Sequence, residues 1–268
     1  MDLMQKDAAY ISGGNRLKGL SKPNGTDGPL ITVVTPVFNG DKELEASILS
    51  VLNQEYRNIE YILIDGGSTD RTLDILRKYE DSIDYWVSEP DRGIYDAMNK
   101  AVDLARGQWV YFIGSDDTLR DSLKTVAQYL VDERTIYYGN VFNTGSQTVY
   151  DGPFGPWKLS RCNICQQAIF YPRPLFESQR FSLQYPVAAD WEFNLRSYSN
   201  PHFRFQYLPV LVANYNDLGG VSAVGPKDER FERNMSNLIR EYLPAPYYVL
   251  HRIERSVRSA IYGGNKRR

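Results

Sequence analysis

The sequence predicts an α/β fold with a mixed, mostly parallel central sheet flanked by helices. Between residues 30 and 114, strand-like and helix-like patterns alternate repeatedly with short connections, which is typical of a parallel sheet with helices on its faces. The strand-like patterns are nearly continuous apolar runs, as expected for strands buried on both sides. The 268 residues suffice for one large α/β domain or two small ones.

The first half of the chain accounts for most of this pattern. In the first helix-like segment, Leu44, Ile48 and Val51 repeat at helical spacing and acids occupy the first turn. The second helix-like segment opens with a Ser-Thr-Asp cap. The predicted strands cover residues 30–38, 59–65, 83–88 and 108–114, and the helices between them cover 41–55, 68–80 and 93–105.

The second half is less regular, and we expect it to complete the same domain rather than form another. "SLKTVAQYLVDE" predicts a helix, and "TIYYGNVFNTGSQTVYDG" predicts short strands with a turn at residues 143–146. Residues 188–198 predict a helix, and residues 203–216 predict two strands separated by a break at Pro209. The predicted division is a loosely held N-terminal arm over 1–28, a domain over 29–225 and a helical, basic tail over 226–268.

If the tail is helical over residues 249–268, it separates two faces. One face carries Leu250, Ile253, Val257 and Ile261, and the opposite face carries Arg252, Arg255 and Arg258. A basic amphipathic helix of this type can lie on an anionic membrane surface. The alternative is a helix docked on the domain with a solvated basic end.

Composition excludes several classes of protein. The net charge of −2 gives no global attraction to nucleic acid. No run approaches the ~18 apolar residues of a membrane span, and the N-terminus lacks an apolar signal core. We therefore expect a cytoplasmic protein, peripheral on the inner face of the plasma membrane if the tail binds there. A zinc site would need two ligands besides Cys162 and Cys165, and His202 and His251 are the only histidines. We therefore expect the two cysteines to be reduced thiols.

Polar loops follow the four predicted strands, with the sequences "TPVFNGD", "DGGSTD", "SEPDRG" and "GSDD". Each loop alone could be a turn or a helix cap, but parallel strands bring all four to one edge, where ligands of open α/β sheets bind. The adjacent carboxylates of Asp116 and Asp117 repel each other unless a cation neutralises their charge. Oxygen ligands select Mg²⁺ or Mn²⁺, and Mg²⁺ commonly shares phosphate oxygens. Because no GxxxxGK[ST] or strand-following GxGxxG is present, an ATPase and a dinucleotide-dependent dehydrogenase are disfavoured.

Several segments closely resemble a known enzyme family. "ITVVTPVFN", "SILSVLNQEYRNIEYILIDGGSTDRTLDIL", "SEPDRGIYDAMNKAVDLARGQWVYFIGSDD" and "ADWEFNLR" are similar, in this order, to the inverting nucleotide-sugar glycosyltransferases of the GT-A fold. The closest type is glycosyltransferase family 2 of bacterial polysaccharide biosynthesis. The resemblance covers roughly residues 30 to 222, and it implies a Rossmann-like GT-A domain.

The resemblance implies a role for individual residues in binding the donor and a metal ion. Asp65 would accept a hydrogen bond from the base, and Asp117 would bind Mn²⁺ or Mg²⁺. Asp116 would contact the ribose or metal-bound water. Further donor contacts are implied for Thr35, Pro36, Phe38, Asp91, Gly93, Asn99 and Ser115, and Gln166 or Gln167 would lie near the donor sugar or the acceptor hydroxyl. Gly66 and Gly114 stand where the family often has Asp.

The resemblance also implies the reaction. Asp190, in "AADWEFNLR", would be the base that deprotonates the acceptor hydroxyl; its alternative role is a helix cap, and Glu192 is a weaker candidate. Attack would invert the anomeric carbon of a nucleoside-diphosphate sugar, with UDP favoured and GDP or dTDP possible. The acceptor would be a glycan or a lipid-linked glycan.

Two other functions fit parts of the pattern. A sugar-phosphate nucleotidyltransferase also uses a metal and an α/β sheet, but "TPVFNG" lacks the Lys or Arg expected in a triphosphate-binding loop. A non-catalytic binding or assembly protein with a degenerate transferase fold is the other alternative. The presence of Asp65, Asp117 and Asp190 argues against degeneracy.

Overall fold

One sheet organises the molecule. The computed structural model describes residues 10–20, 28–220, 225 and 227–262, with side chains through residue 257. Within these residues the strands are β1 Ile11–Gly13, β2 Ile31–Val37, β3 Ile59–Asp65, β4 Tyr85–Ser88, β5 Trp109–Phe112, β6 Thr118–Leu119, β7 Thr135–Asn143, β8 Thr148–Tyr150, β9 Ile169–Pro172 and β10 Arg204–Tyr215.

The strand order is β1-β4-β3-β2-β5-β9-β7-β10-β6, and β8 forms a hairpin with β7. β4, β3, β2 and β5 are parallel, which confirms the predicted sheet of the first half. β9 runs antiparallel to both β5 and β7 and so joins the two halves of the sheet. The mixed, mostly parallel α/β architecture is therefore confirmed, and the second half continues the first sheet.

Helices cover both faces of this sheet. The described α-helices are α1 Leu44–Leu52, α2 Thr72–Lys78, α3 Ile94–Leu104, α4 Leu123–Ala127, α5 Pro156–Leu159, α6 Leu175–Ser178, α7 Ala189–Ser199, α8 Glu229–Tyr242 and α9 Ala245–Tyr262. The apolar residues of α1 and α4 join one core cluster, and those of α3, α7 and α8 join the other. None of the described helices is both long and apolar enough to cross a bilayer.

Part of the predicted N-terminal arm is not loosely held. β1 pairs antiparallel with β4 and extends the sheet edge. The Arg16 guanidinium forms an ion pair with the buried Glu60 carboxylate, which also accepts a hydrogen bond from the Thr32 hydroxyl at 2.6 Å. Residues 10–20 are thus docked on the domain, whereas residues 1–9 and 21–27 lie outside the described residues. The domain boundaries at residues 28 and 225 stay predictions.

The predicted break at Pro209 is wrong. β10 continues through this residue, and the register against β7 shifts between Tyr207 and Leu211. Proline lacks a donor for the ladder and is tolerated in strands where pairing is irregular. The irregularity therefore absorbs the proline without ending the strand.

Candidate active site

A cavity of about 570 Å³ opens at the carboxyl ends of β2, β3 and β5, on the predicted edge of the sheet. Its walls come from the loops after these strands, from the start of α3 and from the segment after β10. The lining residues are Pro36, Val37, Phe38, Asn39, Gly40, Glu43, Gly66, Asp91, Gly93, Ile94, Ala97, Gly114, Ser115, Asp116, Asn216, Gly219 and Gly220.

Two glycines let carboxylates pack closely against the backbone of this cavity. A Cβ atom at Gly66 would lie 2.7 Å from the Oδ2 atom of Asp91. A Cβ atom at Gly114 would lie 2.5 Å from the Oδ2 atom of Asp117 and 3.0 Å from the Oδ1 atom of Asp116. These are the two positions where the resemblance noted in the sequence implies Asp in many family members. In this chain, carboxylates from other positions occupy the space beside both glycines.

The adjacent carboxylates Asp116 and Asp117 have different surroundings. Asp116 is partly exposed and lines the cavity, where the amide nitrogen of Asn216 donates to its Oδ2 atom at 3.3 Å. Asp117 is only 2% exposed and does not line the cavity. Its Oδ1 atom accepts from the backbone N–H of Asn216 at 2.8 Å, and its Oδ2 atom accepts from Nε2 of Gln167 at 2.7 Å. Both oxygens of Asp117 are thus engaged within the protein, and its role as a metal ligand stays a prediction.

Burial also changes the titration of these acids. It raises the pKa of Asp117 to about 7, and the neighbouring Asp116 charge adds to the increase. Burial likewise raises the pKa of Asp116 and of Asp91. The site thus holds carboxylates whose charged forms are poorly solvated, and a cation would stabilise those charged forms.

The charge of the cavity bears on whether a metal ion fits. Glu43, Asp91 and Asp116 contribute carboxylates, and the described lining includes no Lys or Arg. A diphosphate would be repelled here unless a divalent cation accompanied it. Among the described residues no group of three His, Cys, Asp or Glu side chains could hold an ion alone. Asp116 fits a hard cation that completes its shell with phosphate oxygens and water.

A second carboxylate, Asp190, stands at the start of α7. It is partly exposed, and its Oδ1 atom accepts a hydrogen bond from the Tyr95 hydroxyl at 2.8 Å. Its Oδ2 atom accepts from Nδ2 of Asn163, also at 2.8 Å. Burial raises the pKa of Asp190 to about 6, while these two hydrogen bonds act in the opposite direction. Such a carboxylate is ionised at neutral pH and is basic enough to accept a proton.

The N-terminal end of α8 fixes the start of α7. Asp228, the N-cap of α8, accepts from the backbone N–H of Phe231 at 3.0 Å. Its other oxygen accepts from the backbone N–H groups of Val187 and Ala188 at 3.2 and 3.4 Å. The chain entering α7 is therefore fixed just before Asp190, so that the orientation of this carboxylate depends on α8 as well as on its own contacts.

The segment Asn163–Gln167 connects the two acidic sites. Asn163 donates to Asp190, and Gln167 donates to Asp117. Between them, burial raises the pKa of the Cys165 thiol, and the charges of both carboxylates add to the increase. Both Asp117 and Asp190 thus lie on the same side of the molecule, one on each flank of this segment.

Six of the predicted donor-binding residues line the cavity. Phe38 is 63% exposed, so its ring is available for stacking. The Gly93 N–H donates to Asp91 Oδ1 at 2.8 Å, which orders the loop before α3. The six residues are Pro36, Phe38, Asp91, Gly93, Ser115 and Asp116. Gly219 and Gly220 line it too.

The other predicted donor-binding residues point elsewhere. The Thr35 side chain is buried beside the Tyr61 hydroxyl at 3.1 Å. Asp65 is fully buried and accepts a hydrogen bond from Ser88 Oγ at 2.5 Å, as well as from Ser68. Neither side chain lines the cavity. The Asp65 carboxylate therefore joins the ends of two strands and their loop, and its contact with a base stays a prediction.

The side chains of Asn99, Gln166 and Gln167 also form hydrogen bonds with other parts of the protein. The Asn99 side chain pairs with the backbone of Phe181 through bonds of 2.9 and 3.0 Å, away from the cavity lining. Gln166 is buried, and its Oε1 atom accepts from the Tyr171 hydroxyl at 3.1 Å. Gln167 reaches the acid pair through Asp117, so it is the glutamine that belongs to the site.

The two candidate bases on α7, Asp190 and Glu192, have different surroundings. Glu192 is 5% exposed and forms an ion pair with Arg196 at 3.4 Å. Burial raises the pKa of Glu192. Because Glu192 is buried and paired, Asp190 remains the candidate base.

Sequence reasoning missed the residues that hold the carboxylates. Tyr95 and Asn163 bind Asp190, and Asn216 binds both Asp116 and Asp117. Tyr95 lies within a helical pattern that indicates only a core position, and Asn163 lies in a segment without periodicity. Their partners are 95 and 27 residues away in the chain, so that no local spacing signals the contacts.

Comparisons with known proteins point to one family of enzymes. The family model described as glycosyl transferase family 2 matches residues 32–191. The chain is 39% identical over 203 residues to the PGL/p-HBAD biosynthesis glycosyltransferase of Mycobacterium bovis, covering 72% of this chain and 79% of that protein. It is 34% identical over 117 residues to an uncharacterized glycosyltransferase of Haemophilus influenzae, covering 42% and 47%.

Solved structures share the fold at low sequence identity. TarS residues 1–349 of S. aureus, in complex with UDP-GlcNAc, align with a TM-score of 0.66 at 19% identity, covering 87% of this chain and 73% of that one. The mannosyltransferase PcManGT of Pyrobaculum calidifontis, in complex with GDP-Man and Mn²⁺, aligns with a TM-score of 0.57 at 19% identity, covering 90% and 78%. At this identity the likeness supports the fold alone.

The packing at Gly114 gives a testable prediction. In Gly114→Ala, the new methyl group would overlap the Asp117 carboxylate, whose two oxygens are fixed by Asn216 and Gln167. We expect a loss of about 1–3 kcal/mol in the free energy of unfolding, measured by urea denaturation.

Gly155→Ala is the matched control, because its Cβ atom would meet no atom within 4 Å and its φ of −112° suits alanine. We expect the control to change the free energy of unfolding by less than about 0.5 kcal/mol. Equal stability of the two variants would contradict the close approach at Gly114.

Proposed function

The chain belongs to glycosyl transferase family 2 and is a glycosyltransferase with the GT-A fold, and we propose that it transfers a sugar from a nucleoside diphosphate to an acceptor hydroxyl with inversion. The observation that carries this proposal is the pair of acidic sites flanking the segment Asn163–Gln167. One site borders the cavity at the sheet edge, and the other is Asp190, which lies outside the cavity lining and has a carboxylate whose pKa is raised by burial.

We propose that the cavity binds the nucleotide of the donor. Its volume of about 570 Å³ lies within the range of roughly 300–1,000 Å³ for small-molecule sites. The exposed Phe38 ring offers a stacking surface for a base, and Asp91 offers acceptor oxygens for base or ribose. The structural neighbours are complexes with UDP-GlcNAc and with GDP-Man. We favour UDP, and GDP and dTDP are the alternatives.

We assign the metal contact to Asp116 in place of Asp117. Asp116 lines the cavity, whereas both oxygens of Asp117 are engaged by protein N–H groups. A bound Mn²⁺ or Mg²⁺ would neutralise negative charge that develops on the departing nucleoside diphosphate. Asp117 supports this arrangement indirectly, because the same Asn216 that binds it also binds Asp116. The Gly219 and Gly220 backbone closes the cavity beside Asp116.

Asp190 would act as the catalytic base. Tyr95 and Asn163 fix one oxygen each, so that the carboxylate has a defined direction. As the acceptor oxygen attacks the anomeric carbon, Asp190 would take its proton, and the bond to the diphosphate would break in line. One displacement inverts the configuration, and the scheme needs no covalent sugar–enzyme intermediate.

The acceptor class is also a proposal. The relative in Mycobacterium bovis is named for PGL/p-HBAD biosynthesis, which supports a role in building a surface glycan or glycolipid. We propose a glycan or lipid-linked glycan acceptor in bacterial surface polysaccharide biosynthesis. A cytoplasmic enzyme held at the inner face of the membrane would meet a lipid-linked acceptor directly.

The assignment of the base predicts the behaviour of Asp190→Asn. The amide cannot accept the acceptor proton, so we expect turnover to fall by roughly 10²–10⁴-fold with unchanged affinity for the donor nucleotide. Release of nucleoside diphosphate measures turnover, and calorimetry measures donor binding. In the wild type, activity is expected to fall as pH decreases through about 6, since the raised pKa of Asp190 means that its basic form is lost there.

Asp74→Asn is the control, because Asp74 is exposed on α2 away from the cavity lining. It should keep full turnover. Full turnover in Asp190→Asn would remove this residue as the base, while loss of donor binding in that variant would indicate a role in folding or donor recognition.

The metal assignment distinguishes two neighbouring variants. In Asp116→Asn, the increase in melting temperature caused by UDP with Mn²⁺ should shrink to that caused by UDP alone, because a ligand that binds more weakly stabilises the folded protein less. Asp117→Asn should retain the Mn²⁺-dependent part. The reverse result would restore Asp117 as the metal ligand.

A further inference from the structure

The C-terminal helix α9 turns its apolar side toward solvent. Val249, Leu250, Ile253 and Val257 are 53%, 46%, 56% and 51% exposed. Among the described residues thirteen large hydrophobic side chains are exposed, and these four fall within nine consecutive residues. Isolated exposed hydrophobic residues are ordinary, but a contiguous group indicates a binding surface. We call these four residues the α9 stripe.

The opposite face of α9 is the one that docks on the protein, and it is mostly polar. Tyr247 and Tyr248 pack against the core cluster that includes α8. His251 Nε2 lies 3.3 Å from the Ser236 hydroxyl, and the Glu254 carboxylate forms an ion pair with Arg161 at 3.0 Å. A helix docked only for stability would bury its apolar side. The arrangement of α9 is the reverse, so docking on its own domain does not account for the α9 stripe.

Charge identifies the partner that this surface fits. Residues 245–268 hold six of the 31 basic residues and one of the 33 acidic residues of the chain, so this segment is basic while the rest is acidic. Arg252 is exposed on the helix beside the α9 stripe, whereas Arg255 lies on the docked side and donates to the Ser236 hydroxyl of α8 at 2.9 Å. Apolar side chains beside exposed cations suit a bilayer with anionic headgroups, in which the former enter the interfacial layer.

A second copy of the chain fits this surface less well. Stable protein interfaces use roughly 20–30 residues a side, whereas the α9 stripe contributes four. Two copies would also bring their arginines to the same contact, with few acids near it. We propose that α9 binds the surface of an anionic lipid bilayer through the α9 stripe, with Arg252 facing the headgroups.

Vesicle co-sedimentation of the full chain tests this proposal. The wild type should sediment with vesicles of phosphatidylglycerol and phosphatidylcholine, bind pure phosphatidylcholine vesicles much more weakly, and be released by salt. Leu250→Glu/Ile253→Glu replaces two stripe residues by charges that the anionic surface repels. We expect its affinity for anionic vesicles to fall by about tenfold or more.

Val131→Glu is the matched control, because Val131 is 79% exposed outside α9, and it should bind like the wild type. Both variants change exposed positions, and an unchanged melting temperature verifies that they fold; Leu250→Ser/Ile253→Ser gives a milder second test. Wild-type protein that stays in the supernatant, or a glutamate variant that binds as well as the wild type, would overturn the proposal. A wild-type dimer that the same variant dissociates, without vesicle binding, would assign the α9 stripe to a second copy.

Discussion

The candidate site depends on one short segment that binds two distant carboxylates. Asn163 donates to Asp190 and Gln167 donates to Asp117, each through a side-chain amide. This segment enters β9, the antiparallel strand that joins the parallel block of the first half to the mixed second half. The topology of the sheet thus brings the start of α7 next to the loop after β5. Without β9 between β5 and β7, the two acids would have no common support.

The acids of the site are held at a cost to stability. Burial raises the pKa of Asp117 to about 7 and that of Asp190 to about 6, so that folding disfavours their charged forms. Because the folded-state values exceed those of an unfolded chain, these two groups make the protein less stable as pH rises from about 4 to 7. Groups that oppose folding in this way are concentrated at functional sites. In the proposed mechanism, Asp117 lies beside the metal contact Asp116, and Asp190 accepts the proton of the acceptor.

Periodicity predicted the sheet and its active edge because apolar runs and short loops leave few alternatives. It could not predict which side chains reach the cavity. Asp116 and Asp117 lie at a turn, where neighbouring residues follow no fixed alternation, so that the exposed member could not be identified from sequence. Asp65 and Asn99 are engaged by partners from other loops, which sequence spacing does not reveal. For α9, the amphipathic pattern was correct, but only the structure gives the direction in which its apolar side faces.

The hydrogen bond from Asn163 to Asp190 allows the most direct test of this account. Asn163 stabilises the charged form of Asp190, so its removal should raise the pKa of that carboxylate. The measurement is the pH dependence of kcat/KM for the wild type and for Asn163→Ala. The account predicts that the acidic limb, near pH 6 in the wild type, moves to higher pH in the variant. An acidic limb at the same pH in both proteins, with kcat/KM lowered equally at every pH, would contradict the claim that this segment orients the base.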